Sequence, residues 1–322
     1  MLISFVLVSK GSLSKVEKAI KNIEQLKDND YEVIIIADCN IEDSMLDQDL
    51  KNEFWLKNNV KIILNSSSQG KSVSWNMAID LAEGEYIKFV SEKDTIDNNF
   101  IASFREVLEK NKDKQIDLVE YLIELKGLGQ GIDVENFLEN QKAYNLAENF
   151  EPFAFLSPTL FNKLFKTSLL QEFGFKFRRF VRFDMLFVYK VLGQAKSFIF
   201  MGDKLYGDRY LEEPSYSSFD LVNQGTHIIN YYRRIGKYKN LKDHLNYAYF
   251  KTLCFVWLQL VKLYNNKLLM KKAIIFAEKK FSEKREEFIQ NNSVLKLNRD
   301  TKFREICQDF NKYIKDLLKL VK

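Results

Sequence analysis

The chain has 322 residues, 46% hydrophobic and 29% charged, with a formal net charge of +5. That is enough chain for a sizeable core and more than one unit, in a composition ordinary for a soluble globular protein. Its cysteines, Cys39, Cys254 and Cys307, are odd in number and lack metal-ligand spacing, which argues against a disulfide framework or zinc site and for free thiols in a reducing cytoplasm. No apolar run approaches the ~18 residues of a membrane span. The run Leu2 to Val8 has no basic lead, so it reads as a first strand and not as a signal peptide. The charge is uneven: residues 225–322 hold 22 Lys and Arg against 9 Asp and Glu, whereas residues 1–224 hold 27 against 35.

In chain order, Ile3 to Val8 is a β-branched apolar run of strand length. Lys10-Gly11-Ser12 is a turn, and Ser12 or Ser14 can cap a helix from about Ser14 to Leu26, with Val16, Ala19, Ile20 and Ile23 on one face. Tyr31 to Ala37 is a second strand; its continuously apolar Val33 to Ile36 suits a parallel strand buried on both faces. It ends in Asp38-Cys39-Asn40. Val60 to Leu64 is a third strand. A polar loop, Asn65 to Lys71, leads into a helix through Leu81. Tyr86 to Val90, after Gly84-Glu85, is a central buried strand running into the charged Ser91-Glu92-Lys93-Asp94, and a helix follows from about Asp97 to Asn111. This alternation predicts a doubly wound α/β domain, whose ligands bind past the carboxyl ends of its strands. No Gly-x-Gly-x-x-Gly follows the first strand, and no Gly-x-x-x-x-Gly-Lys-Ser/Thr occurs, so dinucleotide and P-loop sites are not expected.

From about residue 221 the pattern turns helical. Leu241 to Leu263 carries Leu245, Tyr249, Leu253, Val256, Trp257 and Leu260 at helical spacing, and Leu268 to Phe281, Lys284 to Gln290 and Phe303 to Val321 continue it. The last segment sets Phe310, Tyr313, Ile314, Leu317, Leu318 and Val321 against Lys312, Lys315, Lys319 and Lys322. It reads either as a basic surface for an anionic membrane or as a helical appendage that packs on the α/β domain, or against a second copy, with solvated lysines. The basic residues form no recognisable nucleic-acid module. A homodimer is compatible with such a region.

Several segments occur in the order of one family. Ser4-Phe5-Val6-Leu7-Val8, Val33-Ile34-Ile35-Ile36-Ala37-Asp38, Ser72-Val73-Ser74-Trp75-Asn76-Met77-Ala78-Ile79, Gly84-Glu85-Tyr86-Ile87-Lys88-Phe89-Val90, Phe161-Asn162-Lys163-Leu164-Phe165-Lys166, Phe183-Asp184-Met185-Leu186-Phe187, and Tyr206 with Arg209 and Ser215-Tyr216-Ser217 resemble the motifs of glycosyltransferase family 2. The resemblance spans residues 1 to about 218. It implies an α/β, Rossmann-like GT-A domain over 1–220 followed by an α-helical region over 221–322. Such an enzyme would transfer a sugar, with inversion, from a nucleotide-diphosphate donor, expected to be UDP-linked, onto a bacterial surface glycan or lipid-linked acceptor, near which a basic last segment on the membrane would sit. The chain departs from the family pattern in places: Val8 stands for its Pro, Ala37 for the first Asp of its nucleoside-binding pair, Trp75 for an Arg, and Ser91-Glu92-Lys93-Asp94 for its Asp-x-Asp-Asp.

By that resemblance Asp184 is the candidate base; its alternative role is capping the helix from Met185. Val8, Asp38, Glu92, Lys93 and Asp94 are candidate donor contacts, and Asp38 alternatively makes an Asx turn. Glu92 and Asp94 are candidate ligands for Mg²⁺ or Mn²⁺, because residues i and i+2 of an extended segment point the same way. Lys93 as a fixed positive charge on the diphosphate is the rival. Trp75 stacks on substrate or sits in the core. The alternatives to a soluble transferase are a catalytically degenerate GT-A relative serving as a scaffold and a membrane-surface diacylglycerol-type glycolipid synthase. The expected location is the cytoplasm, peripheral to the membrane at most.

Overall fold

The computed structural model describes residues 1–10, 16–38, 57–130, 132, 135–178, 185–211 and 217–321. The chain divides into two compact units: one comprises residues 1–126, 139–147 and 158–210, the other 127–138, 148–157 and 211–322.

The first unit is built on an eight-stranded mixed sheet. Its strands are β1 (Ile3–Ser9), β2 (Tyr31–Ala37), β3 (Val60–Leu64), β4 (Tyr86–Val90), β6 (Leu118–Tyr121), β8 (Ala143–Asn145), β9 (Lys163–Lys166) and β10 (Ser197–Met201), in the order β3-β2-β1-β4-β9-β6-β10-β8. The run β3-β2-β1-β4 is parallel. β9 runs antiparallel between β4 and β6, which makes the sheet mixed. A small second sheet has the order β5-β11-β7, from Thr95–Ile96, Gly207–Leu211 and Glu124–Gly127. β1, β2 and β4 are buried at every residue, as their uninterrupted apolar runs require of strands covered on both faces.

Side-chain alternation along the strands divides the core. On one face Ile3, Phe5, Leu7, Val33, Ile35 and Tyr86 pack with Ala19, Ile20 and Ile23 of α1 (Glu17–Glu24) and Phe100 and Phe104 of α3 (Phe100–Lys110). On the other, Phe89 meets Trp75 of α2 (Lys71–Leu81), Phe177, and Phe187 of α6 (Met185–Gln194). Trp75 is 4% exposed and edge-on to Phe89 and Phe161, which settles it as a core residue.

Glu32 fastens the start of the parallel strands. This buried carboxylate accepts the Ser4 hydroxyl at 2.6 Å and the Glu83 and Gly84 amides at 2.7 and 3.1 Å, and pairs with Lys61 at 2.9 Å. Ser4, Glu32, Lys61 and Gly84 stand on or just before β1, β2, β3 and β4, so one carboxylate sets their relative register. Desolvation raises its pKa, but the hydrogen bonds and Lys61 outweigh it and leave the carboxyl below its ordinary value.

The second unit is helical: α4 (Glu151–Phe155), α7 (Ser217–Arg234), α8 (Tyr238–Lys251), α9 (Trp257–Lys262), α10 (Lys267–Ser282), α11 (Arg285–Asn291), α12 (Ser293–Lys296), α13 (Thr301–Gln308) and α14 (Phe310–Lys319). The expected helix over Leu241 to Leu263 is continuous through a wider π-type turn at Thr252–Val256. The expected helix over Phe303 to Val321 is broken at Asp309, whose carboxylate caps the Lys312 amide at 3.1 Å and starts a new helix. Phe310, Ile314, Leu317 and Val321 of that last segment are all buried, so its apolar face packs inside the unit. Cys254 and Cys307 are buried free thiols, raised by desolvation. Of the two histidines, His227 is exposed, and His244 is half-buried against Phe150. Among the described residues no helix is long and apolar enough to cross a membrane.

Candidate active site

The parallel pairing brings the carboxyl ends of four strands together: Ser9 lies beside Ala37, Ala37 beside Leu64, and Leu7 beside Val90. The segments that leave these ends carry most of the candidate residues. Val8 is buried in β1 one residue before the edge. Asp38 follows β2 directly, its amide donating to the Ser9 carbonyl at 2.8 Å.

Asp38 is 3% exposed, and both its oxygens are occupied. Oδ1 accepts the Asn65 side-chain amide at 3.0 Å and the Gln69 backbone amide at 2.6 Å; Oδ2 accepts the Ser68 hydroxyl at 3.2 Å and the Gly70 amide at 2.9 Å. One carboxylate therefore holds the whole loop from β3 to α2. A carboxylate offers about four acceptor positions, and all are in use. Gly70 ends the loop at φ +86°, the left-handed region that a side chain would oppose. Asp38 thus shapes the rim of the site.

The segment after β4 is a turn. The Asp94 amide donates to the Ser91 carbonyl at 3.2 Å, and Asp94 Oδ2 accepts the Ser91 amide at 3.0 Å. The strand alternation that would aim Glu92 and Asp94 at one ion does not operate here, because an Asp that closes its own turn withdraws its carboxylate. Asp94 is 5% exposed, and Arg209 Nη1 lies 3.4 Å from its Oδ2. Its Oδ1 is buried without a hydrogen-bond partner. Glu92 is half-buried, and its Oε1 accepts the Lys10 amide at 3.4 Å. Lys93 lies between them, half-buried.

Arg209 stands on a prepared platform. Its guanidinium stacks on the Phe161 ring at 3.8 Å. The Phe161 carbonyl accepts the Tyr121 hydroxyl at 2.7 Å and Lys88 Nζ at 3.5 Å. Next to it Asn162 donates to the Tyr121 carbonyl at 3.1 Å. Lys163, fully buried, pairs with buried Glu120 at 3.1 Å and donates to the Thr159 carbonyl at 2.8 Å. The Phe-Asn-Lys segment is thus a scaffold that fixes Phe161 beneath Arg209. Lys88 lies 5.4 Å from the Tyr121 ring and 6.0 Å from that of Phe100. Burial pushes its ammonium down to about 8, the nearby Asp94 charge opposing that shift and Arg209 adding to it. Tyr121 is held well above its ordinary range, by burial first and the Asp94 charge second.

These residues do not fit a divalent ion shared by Glu92 and Asp94. A cation bridging to a diphosphate needs a carboxylate oxygen that opens to the cleft. Asp94 turns inward, toward Arg209 and Lys88, where a further dication would meet two cations in a poorly screened interior. Among the described residues no three His, Cys, Asp or Glu side chains converge on a point.

Lys88 is a functional candidate that the sequence motifs pass over. Its signal was a lone lysine in an otherwise apolar buried strand, which folds only when its charge is answered. Asn76 is another: its side chain binds both the amide and the carbonyl of Phe177, at 2.7 and 3.0 Å. Asp184 and its neighbours from residue 179, with Cys39, Asn40, Ser12, Ser14, Ser215 and Tyr216, lie outside the described residues.

Comparison with known proteins bears on the family and the fold. The model for glycosyl transferase family 2 matches residues 4–169. The poly(ribitol-phosphate) β-N-acetylglucosaminyltransferase TarS of Staphylococcus aureus is 26% identical over 181 residues, covering 55% of this chain and 30% of TarS. A poly(ribitol-phosphate) β-glucosyltransferase of Bacillus spizizenii is 30% identical over 177 residues, covering 53% of this chain and 26% of that protein. The chain therefore spans about a third or less of these two relatives. The crystal structure of residues 1–349 of TarS with UDP-GlcNAc superposes with a TM-score of 0.63 at 17% identity, covering 89% of this chain and 92% of that one. A Pyrobaculum calidifontis mannosyltransferase with GDP-Man and Mn²⁺ superposes at 0.52 and 13% identity, covering 99% of this chain and 85% of that one. The fold is GT-A, and the chain belongs to glycosyl transferase family 2.

Proposed function

We propose that this chain moves a sugar from a UDP-sugar, with inversion, to a hydroxyl of a bacterial surface polymer of the poly(polyol-phosphate) kind. The observation that carries the reading is the family match over residues 4–169, which runs through the strand ends that hold Val8, Asp38, Glu92, Lys93 and Asp94. The polymer class follows from the names of two relatives, and the donor base from the UDP-GlcNAc complex of one of them.

In the proposed reaction Asp184 takes the proton of the acceptor hydroxyl. The freed oxygen attacks the anomeric carbon from the face opposite the diphosphate. The bond from that carbon to the phosphate oxygen breaks, its electron pair leaves with UDP, and the configuration inverts. Negative charge that grows on the diphosphate is met by Lys93 of the turn after β4 and by Arg209 of β11 beside it, so no step needs a metal. Asp38 supports the nucleoside pocket by holding the loop 65–70.

The test is thermal stability against UDP, GDP, CDP and dTDP, each with Mn²⁺ or with EDTA. A ligand at 100 times its Kd stabilises the fold by roughly 2.7 kcal/mol. Stabilisation by UDP, equal in EDTA, is expected. Stabilisation only with Mn²⁺ would overturn the metal-free reading and leave the transferase reading intact; no stabilisation by any nucleotide would sink both.

The inward turn of Asp94 favours one rival, a relative that has kept the fold and lost catalysis. Release of UDP from UDP-GlcNAc or UDP-glucose on poly(ribitol phosphate), abolished in Asp184→Asn with UDP binding intact, would dismiss it.

A further inference from the structure

The apolar side chains of the last helix are used inside the helical unit, but α10 presents a different face. Met270, Ala273, Ile274, Ala277 and Phe281 form its buried stripe. On its outer side Leu268 is 65% exposed and Ile275 63%. They are seven residues apart, two turns along one face, about 10 Å by the helical rise. Phe276 beside them is 40% exposed and edge-on to Trp257.

Lysines surround these side chains. Lys271 and Lys272 lie one turn after Leu268, Lys279 lies one turn after Ile275, and Lys267 and Lys280 flank the group; all five are exposed. Among the described residues none of the five forms an ion pair. Glu278 is the one acidic residue of the helix. The surrounding region has the same sign, with its 22 Lys and Arg against 9 Asp and Glu over residues 225–322.

We propose that the outer face of α10 rests on an anionic lipid surface. A protein covering Leu268 and Ile275 would have to answer or desolvate five ammonium groups at once. A solvated polyanion would answer the ammonium groups and leave the apolar side chains in water. An anionic bilayer serves both: the apolar side chains enter the headgroup boundary, and the lysines reach back to lipid phosphates. This inference does not depend on the reaction proposed above.

The experiment is sedimentation of the full chain with vesicles of phosphatidylcholine alone or mixed with phosphatidylglycerol, repeated with Leu268→Ser/Ile275→Ser and Lys271→Gln/Lys272→Gln. The substituted side chains are exposed, so thermal midpoints should stay at the wild-type value, which separates lost binding from lost folding. Binding to the phosphatidylglycerol vesicles alone is expected. Each lysine near an anionic surface contributes about fivefold to partitioning, so the lysine pair should lower it about 25-fold. The apolar pair should lower it as well. Equal sedimentation with both vesicle types, or none with either, overturns the proposal. Binding that ignores Leu268 and Ile275 also overturns it and assigns the lysines to a polyanion.

Discussion

Replacing Asp38 by Asn separates the two roles open to that residue. The substitution keeps the shape of the side chain but turns one oxygen into a donor. Whichever oxygen is lost, a backbone N–H is left facing an N–H, that of Gln69 if Oδ1 is lost or of Gly70 if Oδ2 is lost. A hydrogen bond to a charged group contributes about 1.5–3 kcal/mol. Ser68 and Gln69 are exposed, so water recovers part of the loss. The loop 65–70 should therefore lose roughly 2 kcal/mol of local stability. It can open without unfolding the sheet, so the global denaturation midpoint will under-report the effect. The direct assay is native-state hydrogen exchange at the Gln69 and Gly70 amides, which should speed up about 30-fold. UDP affinity should fall as a consequence, because the rim of the pocket is no longer held. If those two amides keep wild-type exchange while UDP affinity drops, Asp38 contacts the nucleoside directly and the loop-organising account is wrong.

Gly84→Ala should destabilise by about 2–4 kcal/mol in urea denaturation, because a Cβ there would lie 2.6 Å from the Ser4 amide nitrogen and 2.8 Å from the Ile3 carbonyl carbon, and backbone cannot swing aside; a variant as stable as wild type would show that the β1–β4 edge yields. Lys88→Met tests the buried ammonium through pH. With its pKa pushed down to about 8 in the fold and ordinary in the unfolded chain, the native state binds fewer protons between about pH 8 and 10.5, so wild-type stability should rise relative to the Met variant across that window, by up to about 3 kcal/mol, whereas parallel curves would mean Lys88 stays charged throughout.

The strands were legible where burial imposes one reading. Tyr31 to Ala37 and Tyr86 to Val90 have the bounds their apolar runs predict, since a run buried on both faces has no other place to go; Val60 to Leu64 also has its predicted bounds, although it is only half-buried. The antiparallel β9 between β4 and β6 was not legible: Lys163–Lys166 is four residues long and takes its place from Glu120 across the sheet, a partner with no local sequence signal. Asp38 was legible as a polar group at a strand end. Its partners are 27 to 32 positions away, so a local reading could offer only an Asx turn or a ligand contact. The turn at Ser91 to Asp94 defeated period-2 reasoning for a local reason, because a carboxylate three residues past an amide can fold back on it.

The electrostatics of that turn bear on which ion the site suits. Asp94 is one buried negative charge facing two positive ones, Lys88 and Arg209, so the group as a whole has a positive excess in a setting where charges are poorly screened. Burial is the first cause of the depressed Lys88, with the Asp94 charge opposing it and Arg209 adding to it. A metal ion brought to Asp94 would add to the excess and compete with Arg209 for Oδ2. An anion brought to the exposed side of Arg209 would reduce it, and Arg209 is pre-set for that by its stack on Phe161, which in turn is fixed by Tyr121, Asn162 and Lys163. At the family's acidic motif position the carboxylate that remains orients a guanidinium, and in the proposed reaction it is that guanidinium that meets the diphosphate.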